Sequence, residues 1–123
     1  MEQKFLDVMN DEGPVTIVTV NANPAGVVNT WMSYVKIDED NNCLYIPAAG
    51  MHSIEEDFAD DNTVLLTMGS KKVEGTAGPG AGFHVSGTGE FLSEGSEFTA
   101  MKERFPWIRK ILKVNVDQIT QKI

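Results

Sequence analysis

Cysteine is almost absent from this chain, which has one, Cys43, in 123 residues. The chain can therefore form no internal disulfide and no cysteine metal cluster. Its two histidines, His52 and His84, are too few for a histidine-rich metal site. No apolar run approaches membrane-spanning length. The N-terminus lacks a basic start followed by an apolar run, so we expect no signal peptide, no membrane partner and a cytoplasmic protein.

Positive charge is also scarce, with 10 Lys and Arg against 18 Asp and Glu and a net charge of -8. A phosphate backbone would be repelled unless the cations were gathered on one face, and Lys71-Lys72 and Arg109-Lys110 are pairs rather than stripes. Nucleic acid is therefore not an expected partner. The hydrophobic share of 41% is ordinary for a globular protein. The length suits one core, which predicts a single domain over residues 1–123.

Short helices are predicted from apolar spacing and from helix start signals. They cover residues 2–11, residues 53–60, a segment capped by Ser96 and a segment opened by Pro106 that buries Trp107, Ile111 and Leu112. In the second helix Ser53 is the expected N-cap, and Glu56 follows three residues later, which is the spacing of a capping box.

Runs rich in β-branched and aromatic residues predict about six strands. They cover residues 15–20, 27–37, 44–46, 63–68, 83–92 and 114–119. We expect Pro47 to end the third strand and the glycine-rich residues 75–82 to join the fourth to the fifth. In the fifth, two glycines share the apolar face, as a bent strand of a small barrel requires, while His84 falls on the polar, exposed face. The pattern is mainly β with short helices, typical of an antiparallel barrel or sandwich.

Three segments combine small residues, hydrogen-bonding side chains and an adjacent aromatic or Met. They are residues 28–34, residues 47–53, and residues 69–75 with the following 78–83. A flat, amphipathic, phosphorylated ligand needs that mixture, because small residues let backbone N–H groups reach polar ring edges while large apolar side chains cover the ring face. No P-loop, dinucleotide fingerprint or nucleophile elbow is present.

Four strings occur in order along the chain: VNTWMSY, PAAGMH, LLTMGSKKVEG and GPGAGF. With them the sequence resembles the FMN-binding split-barrel family related to pyridoxamine 5'-phosphate oxidases. The likeness runs from the N-terminal helix to Trp107. It implies an antiparallel split β-barrel, one FMN per subunit, and a homodimer with the flavin near the subunit interface.

The resemblance implies which positions of this chain would contact the flavin ring and which would lie near its phosphate. It places Asn29, Thr30 and Trp31 beside the flavin ring, takes backbone donors from Ala48, Ala49, Gly50 and Met51, and sets His52 and Ser53 near the phosphate. The other cofactor-binding candidates are Ser33, Lys71, Lys72, Pro79, Gly80 and Trp107. The family pattern has Lys-Thr after Gly-Met-His, whereas this chain has Ser53-Ile54. Phosphate binding must then depend on Lys71 or Lys72 or on helix N–H groups.

Three functions fit these observations. FMN could accept or pass electrons or hydride in an oxidoreductase, or the chain could be an electron-transfer or carrier module without turnover. In the third, the barrel uses the same groove for another ligand, such as haem or a different flavin, or serves only in assembly. No side chain stands out as a general acid or base, so the sequence names no catalytic residue.

Overall fold

A computed structural model describes all 123 residues of the chain, which form three α-helices and seven strands. The helices are α1 (Gln3–Met9), α2 (His52–Asp57) and α3 (Ser96–Arg104). The strands are β1 (Pro14–Val18), β2 (Val27–Trp31), β3 (Lys36–Asp38), β4 (Cys43–Ala48), β5 (Thr63–Glu74), β6 (Pro79–Leu92) and β7 (Lys110–Gln121). No helix has the length and apolar character needed to cross a membrane.

The seven strands form one antiparallel sheet in the order β2-β1-β5-β6-β7-β4-β3. β2 and β3 are therefore the two edges, yet only the four residues 32–35 separate them in sequence. Such a connection spans at most about 18 Å, so the sheet must curl until its edges approach each other. This closure produces the predicted split barrel, with a seam beside β2.

The core fills the inside of the curled sheet and a second region behind it. The main cluster contains 18 buried residues, and in it the Phe5 ring of α1 meets the Phe83 ring of β6 edge-on at 5.7 Å. A smaller cluster of six buried residues includes Met101 of α3. Ile111 belongs to the smaller cluster and Leu112 to the main one. Successive side chains of a strand point to opposite faces, so β7 is covered on both sides.

Two predicted elements are wrong because strand pairing in the folded sheet overrides local preference. The strand predicted over residues 27–37 is broken by a 3₁₀ helix, Met32–Tyr34, at the point where the chain crosses from one sheet edge to the other. The helix predicted after Pro106 is a turn, and β7 begins at Lys110. The buried neighbours Ile111 and Leu112 suit a strand with a core on each face as well as they suit a helix.

The predicted helix caps are also wrong, since neither serine precedes its helix. Ser53 lies inside α2, which follows Met51 at a φ of 64°, and no side chain caps it. Ser96 is the first residue of α3, after Gly95 at a φ of 100°. A backbone turn of positive φ thus starts each helix in place of a hydroxyl.

Three smaller expectations change. Pro47 lies within β4 rather than ending it. The pairing of β3 with β4 ends at Tyr45, so on that side no neighbouring strand needs a hydrogen bond from the position of Pro47, which has no N–H. The connection between β5 and β6 shortens to residues 75–78. His84 is half-buried rather than exposed.

Candidate functional site

The free edge of β2 forms one side of the seam. β2 pairs only with β1, so the backbone groups on its other edge have no strand partner. Val27, Asn29 and Trp31 alternate along its outer face, and the Trp31 side chain is 49% exposed. Asn29 Oδ1 accepts the Thr16 hydroxyl at 2.6 Å, which leaves the Asn29 amide NH₂ free to donate. Thr30 points inward and is buried, so only its backbone can reach a ligand.

The loop between β4 and α2 contains three backbone donors without an acceptor. The N–H groups of Ala49, Gly50 and Met51 make no hydrogen bond within the chain. A Cβ placed on Gly50 would meet no atom within 4 Å, so open space lies beside this backbone. Ala48 is buried, and its side chain cannot take part. The loop therefore offers a short row of N–H groups to a ligand with acceptor atoms.

Arg109 lies against the other side of this loop. Its backbone N–H donates to the Ala48 carbonyl at 2.9 Å, and its guanidinium donates to the carbonyls of Ala49 at 3.3 Å and Gly50 at 3.0 Å. The same guanidinium pairs with Glu55 of α2 at 2.8 Å. All three carbonyls of this part of the loop thus face Arg109.

Two cations share the Glu55 carboxylate. The Lys110 ammonium and the Arg109 guanidinium both donate to it, and these contacts hold the pKa of Glu55 below its ordinary value. Arg109 is not among the site residues predicted from the sequence, where the segment after Pro106 is predicted to be a helix. The alternation of Leu112, Val114 and Val116 is the signal that would have extended β7 back toward this residue.

α2 places His52 and Ser53 at the surface, and Ser53 lines a cavity of about 440 Å³. Besides the turn of residues 21–26, the cavity wall consists of Ser53, Glu56, Asp57, Asp60 and Asp61. Four carboxylates around the Ser53 hydroxyl repel a phosphate. The cavity is therefore a poor place for the dianionic end of a ligand.

The lysine pair lies at the other end of β1. Lys72 Nζ is 3.6 Å from Asp11 Oδ1, and the buried Ser70 hydroxyl donates to Asp11 Oδ2 at 2.5 Å, which lowers the pKa of Asp11. Asp11 precedes β1, whereas the cavity beside Ser53 is lined by the turn that follows it. The five residues of β1 separate the two places by about 15 Å. One chain therefore does not bring Lys72 and Ser53 onto the same phosphate.

Pro79 and Gly80 open β6 beside this lysine pair. The turn before them is tight, since a Cβ on Gly75 would lie 1.9 Å from the Gly80 carbonyl oxygen. Both residues thus belong to the β5–β6 hairpin, and the structure does not bring them to the loop of Ala49–Met51.

An aromatic cluster follows β2. The Trp107 ring packs 5.9 Å from Tyr34 and 5.4 Å from Phe105 between centroids, and its side chain is 50% exposed. Ser33, in the same 3₁₀ helix as Tyr34, donates its hydroxyl to Glu12 at 2.6 Å. This hydrogen bond lowers the pKa of Glu12. The predicted residues Trp31, Ser33 and Trp107 thus lie on or against the short segment that crosses the seam.

The curled antiparallel sheet and its seam define a split β-barrel. No family model matches the chain. It is 43% identical over 112 residues to the FMN-binding protein of Nitratidesulfovibrio vulgaris, a match that covers 91% of this chain and 90% of that protein. The chain therefore belongs to the FMN-binding split-barrel family, as the ordered strings predicted.

Solved structures agree on the fold. HupZ of group A Streptococcus superimposes with a TM-score of 0.78 at 14% identity, covering 98% of this chain and 93% of that one. An FMN-binding protein from Syntrophomonas wolfei subsp. wolfei gives a TM-score of 0.73 at 15% identity, with 98% and 85% covered. At such identities the likeness shows the fold alone, and it supports the split barrel over the sandwich.

Proposed function

We propose that this chain binds FMN along the seam and is a redox flavoprotein. The observation that carries the proposal is the row of three unpaired N–H groups at Ala49, Gly50 and Met51 beside open space. Oxygen and nitrogen atoms at the edge of a flavin ring are acceptors for such donors. Membership of the family of an FMN-binding protein favours FMN over haem or another flavin.

The residues around the seam fit both the flat apolar face and the polar edge of a flavin ring. Trp31 supplies an exposed aromatic face, and the free amide of Asn29 supplies a polar contact on the same face of β2. Bound FMN would supply the redox chemistry, and the protein would hold the ring and exclude water from it. We assign no catalytic side chain.

Lys71 is the cation that we propose for the phosphate. It has no acidic partner, whereas Lys72 is paired with Asp11. Ser53 stands among carboxylates, which argues against a phosphate site there. Of the groups that the sequence named for the phosphate, Lys71 alone combines a positive charge with freedom from an ion pair.

We also propose that two copies of the chain associate through the outer sheet face, with the flavin near their interface. Large apolar side chains on that side are exposed, with Val27 57%, Trp31 49% and Ile123 61% accessible. Exposed apolar residues grouped in this way favour a protein interface.

The visible spectrum of the purified protein tests this function directly. We expect a yellow protein that releases FMN on denaturation, or a colourless one that becomes yellow with added FMN. A protein that stays colourless in excess FMN would favour the other use of the barrel, for a different ligand or for assembly. Anaerobic mixing with NADH or NADPH then separates the redox classes, because prompt bleaching marks a reductase. The cytoplasmic location stays a prediction from the sequence.

A further inference from the structure

We infer that Arg109 is the positioning residue of the flavin site: it aims the three N–H donors of the Ala49–Met51 loop at the ligand without touching it. The inference rests on the proposed function. It starts from the contacts of Arg109 with three successive carbonyls, those of Ala48, Ala49 and Gly50.

The geometry of the peptide group carries the first step. In a trans peptide the carbonyl of one residue and the N–H of the next point in opposite directions. The only cis bond of the chain is Asn23-Pro24, so the three peptides of the loop are trans. Because the carbonyls of residues 48, 49 and 50 face Arg109, the N–H groups of Ala49, Gly50 and Met51 face away from it. These are the three donors without an acceptor.

The loop lies outside β4 and α2. Met51 packs against the main core cluster and its carbonyl accepts the Glu55 N–H. Gly50 has no side chain to pack, and the carbonyls of Ala49 and Gly50 accept no hydrogen bond except from Arg109. The guanidinium of Arg109 donates to two neighbouring carbonyls in a fixed planar arrangement, and the nitrogen that donates to Gly50 also donates to Glu55 at 2.8 Å. A lysine can offer one point charge but cannot bridge two carbonyls and a carboxylate with the same fixed geometry.

The position of Arg109 also argues against a direct contact with phosphate. Its guanidinium lies on the carbonyl side of the loop, opposite the free donors, and its N–H groups are engaged by two loop carbonyls and by Glu55. A residue that bound the phosphate would distinguish FMN from riboflavin, which has no phosphate. A positioning residue acts on donors that both flavins use, so its loss must weaken both.

The test compares Arg109→Gln, Arg109→Lys and the matched control Lys110→Gln. Lys110 shares Glu55 with Arg109 but donates to no carbonyl of the loop. We expect Arg109→Gln to weaken FMN and riboflavin alike, by about tenfold or more. Arg109→Lys should restore little of this loss, and Lys110→Gln should bind both flavins within about twofold of the wild type. Melting temperatures of the free proteins show whether each variant is folded.

A second measurement does not depend on flavin. In the ligand-free protein, the ¹⁵N order parameters of Gly50 and Met51 should fall in Arg109→Gln and stay unchanged in Lys110→Gln. Unchanged affinity for both flavins in Arg109→Gln would overturn the inference, and so would a loss confined to FMN or full rescue by lysine. Wild-type protein that takes up neither flavin overturns the proposed function instead, a result visible before any variant is made.

Discussion

The ammonium nitrogen of Lys72 lies 3.6 Å from Asp11 Oδ1, so the second lysine of the pair has an acidic partner two residues after α1. Asp11 also accepts the Ser70 hydroxyl, and Ser70 accepts the backbone N–H of Lys72 at 3.1 Å. These contacts fix the backbone of Lys72 and give its ammonium group a carboxylate partner, while Lys71 has no such partner. The two neighbouring lysines are therefore unequal as candidates for a phosphate.

Replacing Lys71 by Ala is expected to lower the affinity for FMN by about tenfold or more, because a charge-assisted hydrogen bond contributes about 1.5–3 kcal/mol. Riboflavin should bind as before, since it lacks the phosphate. Lys72→Ala is the matched control and should reduce FMN affinity less. Flavin fluorescence titrations of the wild type and both variants measure the six dissociation constants. Equal losses for FMN and riboflavin would contradict the phosphate assignment.

Gly50→Val is expected to lower the affinity for both flavins by about tenfold. The valine side chain keeps the ligand from approaching the backbone, which costs roughly one backbone hydrogen bond. The protein should remain folded, since a Cβ at Gly50 meets nothing within 4 Å. Gly87→Ala is the opposite case, with its Cβ 2.1 Å from the Asn115 carbonyl oxygen. That variant should lose melting temperature. Flavin affinity unchanged by Gly50→Val would show that the ligand does not approach this loop.

Val27→Asp is expected to prevent the proposed association of two copies, because it buries an unpaired carboxylate in an apolar interface. Val27 is 57% exposed in the single chain, so the substitution should not unfold it. Light scattering after size-exclusion chromatography should change from the mass of a dimer to that of a monomer. Ala100→Asp, on the exposed surface of α3, is the control and should leave the mass unchanged. A wild-type monomer would remove the dimer from the proposal.

Glu55 is expected to make stability depend on pH in the acid range. Lys110 and Arg109 hold its pKa below the ordinary 4.5 in the folded protein, so its ionised form stabilises the fold. That contribution is fully present above the unfolded pKa and disappears as pH falls through the lower folded pKa.

Glu55→Gln removes the carboxylate that causes this pH dependence of the free energy of unfolding. Denaturant unfolding of the wild type and of Glu55→Gln at several pH values should therefore measure the contribution of Glu55. The wild type should be more stable at neutral pH by about 1 kcal/mol or less, because both cations are partly exposed. The difference should shrink below pH 4.5. A difference that stays constant down to pH 3 would argue against the ion pair as its cause.

The site illustrates which relationships a sequence can reveal. The exposed positions of Asn29 and Trp31 follow from alternation within one strand, and the small residues of the β4–α2 loop are visible as PAAG. The contact of Arg109 with Gly50 joins residues 59 positions apart. No local pattern predicts it, because it depends on β7 pairing with β4 and on where β7 begins.

The sequence by itself determined three things: that the chain is mainly β, which segments alternate between apolar and polar side chains, and, through four ordered strings, that the chain resembles a flavin-binding family. These properties are local, since side-chain alternation and turn residues act over a few positions. Only the tertiary structure decided how the sheet closes, that Lys72 and Ser53 lie apart, and which way the loop N–H groups face. Those outcomes depend on pairings between distant strands, whose register is set by the packing of the whole core rather than by any one segment.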